Sequence, residues 1–185
     1  LYISAESPTP SKWDTRKVTD MESMFWVAKA FNQDIGNWET GAVTNMYLMF
    51  GNCHVFNQDL SGWDTSKVTD MDRAFAWAYK FNQDIGNWET GAVTNMHGMF
   101  WSAKAFNQDL SGWDTSKVTD MGEMFREAFE FNNDDSSLSW DTGAVTNMDG
   151  MFRAAWVFNQ DIGDWDTSSV TNMSNMLREA NNFNQ

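Results

Sequence analysis

Apolar residues return to the same columns of this chain every 25 residues. Aligned on Trp13, Trp38, Trp63, Trp88, Trp113, Trp140 and Trp165, the spacing is constant except for 27 residues between Trp113 and Trp140. Val18, Thr19, Met21, Met24, Phe25, Ala28, Phe31, Asn32, Asp34 and Ile35 recur from unit to unit, and all 13 methionines fall in the Met21 and Met24 columns. A period of this length marks a chain in which each unit buries its apolar face only against its neighbours. Within a unit, positions 18, 21, 24, 25 and 28 carry the apolar residues. Those offsets describe one helical face, so a short helix is expected, with Thr19 as its N-cap. The stretch from Phe31 to Trp38 is too short and glycine-bearing for a helix. Phe31, Ile35 and Trp38 there mark a buried seam and a brief strand near 33–36. Strands stacked on their copies would rise ~4.8 Å per unit and make a rod roughly 35 Å long. The pattern thus predicts a right-handed α/β repeat solenoid with one short parallel strand and one short helix in each of about seven units. Residues 13–185 would form the stack, with a two-residue insertion within 132–139. Residues 1–12 would form an N-terminal arm or cap, Pro8 and Pro10 discouraging further strand pairing.

The polar columns are as regular as the apolar ones. Asn32, Asn57, Asn82, Asn107, Asn132, Asn159 and Asn184 form an unbroken column, expected to satisfy backbone groups at a turn and bond the next Asn in the stack. Thr15 follows Asp14 as a turn residue. An ice-binding threonine face is disfavoured, because the Thr15 and Thr19 columns lie four residues apart across a turn. Cys53 is the single cysteine and replaces the alanine of its column, which excludes an internal disulfide and reads as small buried packing.

Composition narrows the function. A net charge of −14 and a pI near 4.2 argue against nucleic acid and against adsorption to an anionic membrane. Eleven Trp and 14 Phe supply ample core. Polar residues interrupt every apolar run, so no transmembrane helix is expected. The chain closes mid-unit without a visible polar cap, so a partner or further chain is expected at its C-terminal end.

The phrase Phe-Asn-Gln-Asp-Leu-Ser-Gly-Trp-Asp-Thr-Ser-Lys-Val-Thr-Asp-Met, at 56–71 and again at 106–121, closely resembles the bacterial surface protein repeat of about 25 residues found in surface lipoproteins and related to BspA-like leucine-rich repeats. The resemblance covers residues 13–185, with departures at Ala74, Leu177 and 132–139. It implies a leucine-rich-repeat-like solenoid on secreted or surface-attached proteins of adhesive role, and it carries no catalytic residue.

Function in a repeat stack should sit where the copies disagree. Three such columns lie on the face expected to point outward, and their large aromatics, Trp26, Trp77, Tyr79, Trp101, Phe129 and Trp156, are the candidate contacts with other proteins. The alternative is that these rings merely complete the outer packing. Acidic columns beginning at Asp14 and Asp34 need compensation, either from backbone N–H groups in turns or from bound calcium. The best single metal position is Asp134 with Asp135, in the insertion, where a solvated acidic loop is the competing reading. His54 and His97 lie in different columns, and no nucleophile elbow or phosphate loop is present, so the chain is not expected to be an enzyme. The expected function is a non-enzymatic protein-interaction or adhesion scaffold within a larger surface or extracellular protein. The alternatives are a structural subunit docked in a large multiprotein assembly, a membrane-associated one included, and a calcium- or glycan-binding surface module.

Overall fold

A computed structural model describes residues 10–185. Most of the expected N-terminal arm, including Pro8, lies outside the described residues. Pro10–Lys12 forms one 3-10 turn and Asn133–Asp135 a second. Among the described residues there is no α-helix and no extended strand.

The chain instead coils into a stack built from β-turns. In the first coil Val18, Met24, Trp26, Ala28, Phe31 and Trp38 each donate their N–H to the carbonyl three residues back, and the same positions repeat in the coils that follow. Between these turn bonds, Met21, Ser23, Phe25 and Val27 donate to Asn45, Tyr47, Met49 and Gly51 of the next coil, while Thr44 donates back to Thr19. Successive coils therefore meet at single parallel bridges, Asp20 to Asn45, Asn45 to Asp70, and so on to Asn172.

The α/β solenoid with a helix and a strand in each unit, and its leucine-rich-repeat-like character, are therefore corrected. The helix fails because alternate residues of the 21–28 segment send their N–H groups out to the next coil. A helix would turn all of them back along its own axis. Left-handed backbone makes this possible. Ser23 and Val27 have φ of 53° and 64°, and the equivalent positions of every later coil share the conformation, among them Leu48, Asn52, Arg73, Trp77, Glu123 and Glu127. Turns with three-residue closure mimic the offsets of a helical face, which is why the apolar spacing suggested one. Thr19 accordingly caps nothing; its carbonyl receives the Thr44 hydroxyl at 3.1 Å. The strand near 33–36 fails because side chains take over its pairing. The Asn57 N–H donates to Asn32 Oδ1 at 2.9 Å, and this contact repeats down the asparagine column. Parallel pairing sits instead at the Asp20 column.

The core is a set of aromatic pillars. Phe25 stacks on Phe31 within its coil (4.0 Å between ring centroids) and on Phe50 of the next (5.6 Å). Trp38 and Trp63 stack at 6.0 Å with planes 4° apart. Met46, Met49, Met96, Met99, Met121 and Met124 are buried between the pillars. Burying such a side chain is worth about 1.5–3 kcal/mol. Each buried indole of the Trp38 pillar also finds an acceptor. Trp38 Nε1 donates to Pro10 O, Trp63 Nε1 to Ile35 O and Trp88 Nε1 to Leu60 O. Thr40, Thr65 and Thr90, themselves buried, donate their hydroxyls to the carbonyls of Asp64, Glu89 and Asp114 in the next coil. Cys53, in the alanine column, is buried with Sγ 3.0 Å from Phe25 O, and burial raises its thiol pKa to about 12.

The acidic columns close turns. Asp34 Oδ1 accepts the Gly36 N–H, Asp64 Oδ1 the Ser66 N–H, and Asp70 Oδ1 the Asp72 N–H. Units alternate in pairs for a steric reason. A Cβ on Gly41 would lie 2.6 Å from Asp64 Oδ2, so a coil bearing Glu39 and Gly41 makes room for the aspartate of the next. The insertion is anchored by Asn133, which is fully buried; its Oδ1 accepts the Leu110 N–H and its amide donates to Ser136 O.

Candidate functional site

The turns at 26–30 of each coil carry variable columns at 26, 27, 29 and 30, as the chain also does at 22 and 23, and they form one ladder along the stack. Left-handed φ at the Val27 position folds the chain so that positions 26 and 29 project beside their counterparts above and below. The order along the position-29 column is His54, Tyr79, Lys104, Phe129, Trp156. His54 and Tyr79 stack at 4.5 Å, Lys104 Nζ lies 4.7 Å from the Tyr79 ring and 5.4 Å from the Phe129 ring, and Phe129 stacks on Trp156 at 3.9 Å. An ammonium between two aromatic faces is stabilised by both ring quadrupoles. Beside this column, Trp77 packs on Trp101 at 4.5 Å, and the Arg126 guanidinium lies 4.5 Å over the Trp101 ring. Trp26 stands apart from both groups, about half-exposed. A Cβ on Gly51 would come within 3.2 Å of its indole. Trp156 is likewise exposed, whereas Trp77, Tyr79, Trp101 and Phe129 are half-buried. The structure thus joins five of the six aromatic candidates into two adjoining groups and leaves Trp26 outside them.

An ionic network extends from this ladder, and sequence reasoning missed it. Arg126 pairs with Glu123, and its Nε lies 3.5 Å from Glu127. His97 Nε2 is 3.8 Å from Glu123 and its Nδ1 3.3 Å from Asp120, while Arg73 pairs with Asp72 at 3.0 Å. The hydrogen bond to Asp120 raises the His97 pKa against the opposing pull of burial. Burial pushes Asp120 upward, but hydrogen bonds from His97, the Gly122 N–H and Asn147 outweigh it and hold its carboxyl below the usual range. Burial raises Asp72. His54, by contrast, is lowered by burial and by Lys29. The network was legible in principle: Asp72, His97, Arg73 and Glu123 occupy columns 22 and 23 in successive units, yet only an expected helix face drew attention to columns 26, 27 and 29.

These turns are also where the cations gather. Positions 26–30 of the coils hold six of the 12 lysines and arginines and only three of the 26 acids. Elsewhere carboxylates dominate. Hydrogen bonds from Ser61, Ser66 and Ser116 lower the pKa values of Asp59, Asp64 and Asp114, so these three carboxylates stay ionised.

The insertion places Asp134 and Asp135 side by side and exposed. Asp135 Oδ1 receives the Asn132 amide at 2.8 Å, and the Asp134 N–H donates to Asn107 Oδ1 at 3.1 Å. Among the described residues no three His, Cys, Asp or Glu side chains gather in a metal-binding group, and no helix is long and apolar enough to cross a membrane.

No curated protein and no solved structure matches the chain. One family model matches it repeatedly, over residues 4–110, 58–139 and 112–185. Overlapping matches of this kind are what a 25-residue repeat produces when a longer model is slid along it. The chain therefore belongs to the family described as Mycoplasma protein of unknown function, DUF285, a family of repeat-containing proteins.

Proposed function

We propose that this chain is a non-enzymatic protein-interaction module of a surface or extracellular protein, and that it docks partners through the ladder on positions 26–30. The observation that carries the reading is the coincidence on one strip of variability, partly exposed aromatic rings and cations, on a molecule otherwise acidic. Aromatic and Arg side chains are the usual anchors of protein interfaces. The surface placement is supported by the residues at 56–71 and 106–121, which resemble the repeats of surface lipoproteins. The observed turn architecture gives no support to a leucine-rich-repeat ancestry.

Native mass spectrometry on the chain purified from its native source, alongside a Phe129→Ser/Trp156→Ser version, tests the proposal. The chain is expected to arrive with stoichiometric protein partners that the double variant loses. A bare chain, or partners retained by the variant, overturns it. Partners that leave only under denaturing conditions favour the assembly-subunit alternative, in which the same rings are permanently covered.

A further inference from the structure

Charge is divided between two strips of the same coil. From residue 31 onward, the segment equivalent to residues 31–41 carries 14 of the 26 acids and no lysine or arginine; Lys12 and Arg16 hold the matching positions only in the turn before the first full coil. Asp34, Asp59 and Asp84 are exposed along it, as are Glu39, Asp64 and Glu89. The strip at 26–30 has the opposite balance. Both strips repeat once per coil, so their rungs share one spacing.

From this complementarity we infer that the cationic–aromatic ladder of one molecule docks side by side on the acidic strip of a second copy of this chain. The inference rests on the ladder being an interaction surface and names its occupant. Three physical points favour a second copy over other anionic partners. The ring faces are already covered within the ladder, Tyr79 by His54 and Lys104, Phe129 by Lys104 and Trp156. What points outward is the electropositive ring edge, which suits carboxylates and denies a sugar the face it would stack on. An extended acidic peptide presents same-face side chains about 6.6–6.8 Å apart and drifts out of step with rungs near 4.8 Å. A copy of this chain keeps step at every coil. The acidic strip also keeps its carboxylates fixed in turns, Asp59 and Asp84 through Oδ1 to the N–H groups of Ser61 and Gly86, so docking orders little that was free.

Ladder and acidic strip are different surfaces, so the contact is heterologous, giving a ring where the rotation between copies closes and an open array where it does not. It also has an unusual salt signature. Two molecules of net charge −14 repel at long range, while the strips attract at short range. Screening lengths are about 30 Å at 0.01 M salt, 8 Å at 0.15 M and 3 Å at 1 M. Association should therefore peak near 0.15 M.

The test is sedimentation of the 185-residue chain across those salts. The weight-average mass should rise above 21.2 kDa with concentration at the middle salt and fall toward the monomer at either extreme. Two variants then trap the contact. Lys80→Glu/Lys104→Glu turns the ladder's balance of six cations and three acids into four and five; Glu130 already occupies the Lys80 column and uncharged residues share the Lys104 column. Asp59→Asn/Asp84→Asn removes two of the strip's 14 carboxylates, in adjacent coils, and leaves a side-chain oxygen to close each turn. Each variant alone should be monomeric, and their mixture should form 1:1 dimers only, because one supplies a ladder and the other a strip. A wild-type chain that stays monomeric at 0.15 M, or variants that associate alone, overturns the self-docking inference. Partners from the native source that are still lost from Phe129→Ser/Trp156→Ser would leave the interaction surface itself standing.

Discussion

Two tryptophan populations in this molecule do opposite things. Trp63, Trp88 and Trp113 lie buried in one pillar, and each indole N–H meets a carbonyl of the preceding coil, as Trp88 meets Leu60 O at 3.1 Å. Trp101 lies in the outer ladder with its ring under a guanidinium, and its buried Nε1 has no hydrogen-bond partner. The first environment repeats in coil after coil because stacking demands identity: a ring packs against its own copy above and below. The second varies from rung to rung, because the coil-to-coil hydrogen bonds that pass through it, such as Trp77 N–H to Trp101 O at 2.7 Å, use backbone atoms and leave the ring itself unspecified. Uniform columns hold the stack, and the variable ladder is free to be spent on recognition.

The sharpest break in that comparison is truncation at equal chemistry. Trp88→Ala should cost about 3–5 kcal/mol through the lost ring and the residual cavity, with the Leu60 carbonyl keeping its bond from the Trp63 N–H. Trp156→Ala should cost about 1 kcal/mol or less, chiefly its stacking on Phe129. Denaturant unfolding followed at several wavelengths checks both, with loss of cooperativity expected for Trp88→Ala because each coil is supported only by its neighbours. Equal costs would mean that the ladder is part of the core.

A smaller contrast separates the two threonine columns. Thr90 is buried and donates to Asp114 O at 3.0 Å; Thr90→Val leaves that carbonyl without its donor and should cost about 1–3 kcal/mol. Thr94 makes a comparable bond to Thr69 O at 3.2 Å but stands in solvent. Thr94→Val should change stability by about 0.5 kcal/mol or less, as water replaces the hydroxyl. Midpoint shifts in urea measure the pair.

These contrasts also show why the sequence was informative on some points and misleading on others. Period, core columns and turn residues were legible because stacking repeats them: Trp38, Phe25, Asn32 and Asp34 each announce a buried ring or a closed turn. The backbone path was not. Left-handed residues normally declare themselves as Gly or Asn, but here only Gly98, Gly150 and Asn175 at one position and Asn52 at the other do so, while the remaining coils place Ser, Leu, Arg and Glu at the first and Val, Trp, Ser, Ala and Glu at the second. The neighbouring coil's carbonyls impose the conformation, and a pattern of single-coil offsets cannot register that. The same blindness hid the His97 network, whose members come from successive coils and meet only after stacking. The outer aromatics were found because they break the column pattern, although the face carrying them is made of turns rather than a helix.

The finest distinction concerns protons, and it lies within the variable region. His97 and His54 both stand near the ladder, yet their pKa values move in opposite directions. His97 is raised by its bond to Asp120, so its stabilising contribution is complete below the unfolded value of about 6.5. That contribution is lost as pH rises through the higher folded value. His54 is lowered by burial and Lys29, so the fold favours its neutral form; its contribution is complete above about 6.5 and is lost as pH falls through the lower folded value. Asp59, Asp64 and Asp114 of the acidic strip add nothing in this window, because their lowered values place their loss in stronger acid. Urea midpoints between pH 5 and 8.5 should therefore resolve two opposing slopes. His97→Gln should remove the decline on the alkaline side and leave the acid side unchanged, and His54→Gln should do the reverse. If both substitutions flatten the same limb, the two rings share one electrostatic environment, and the ladder and the ionic network are a single coupled site rather than neighbours.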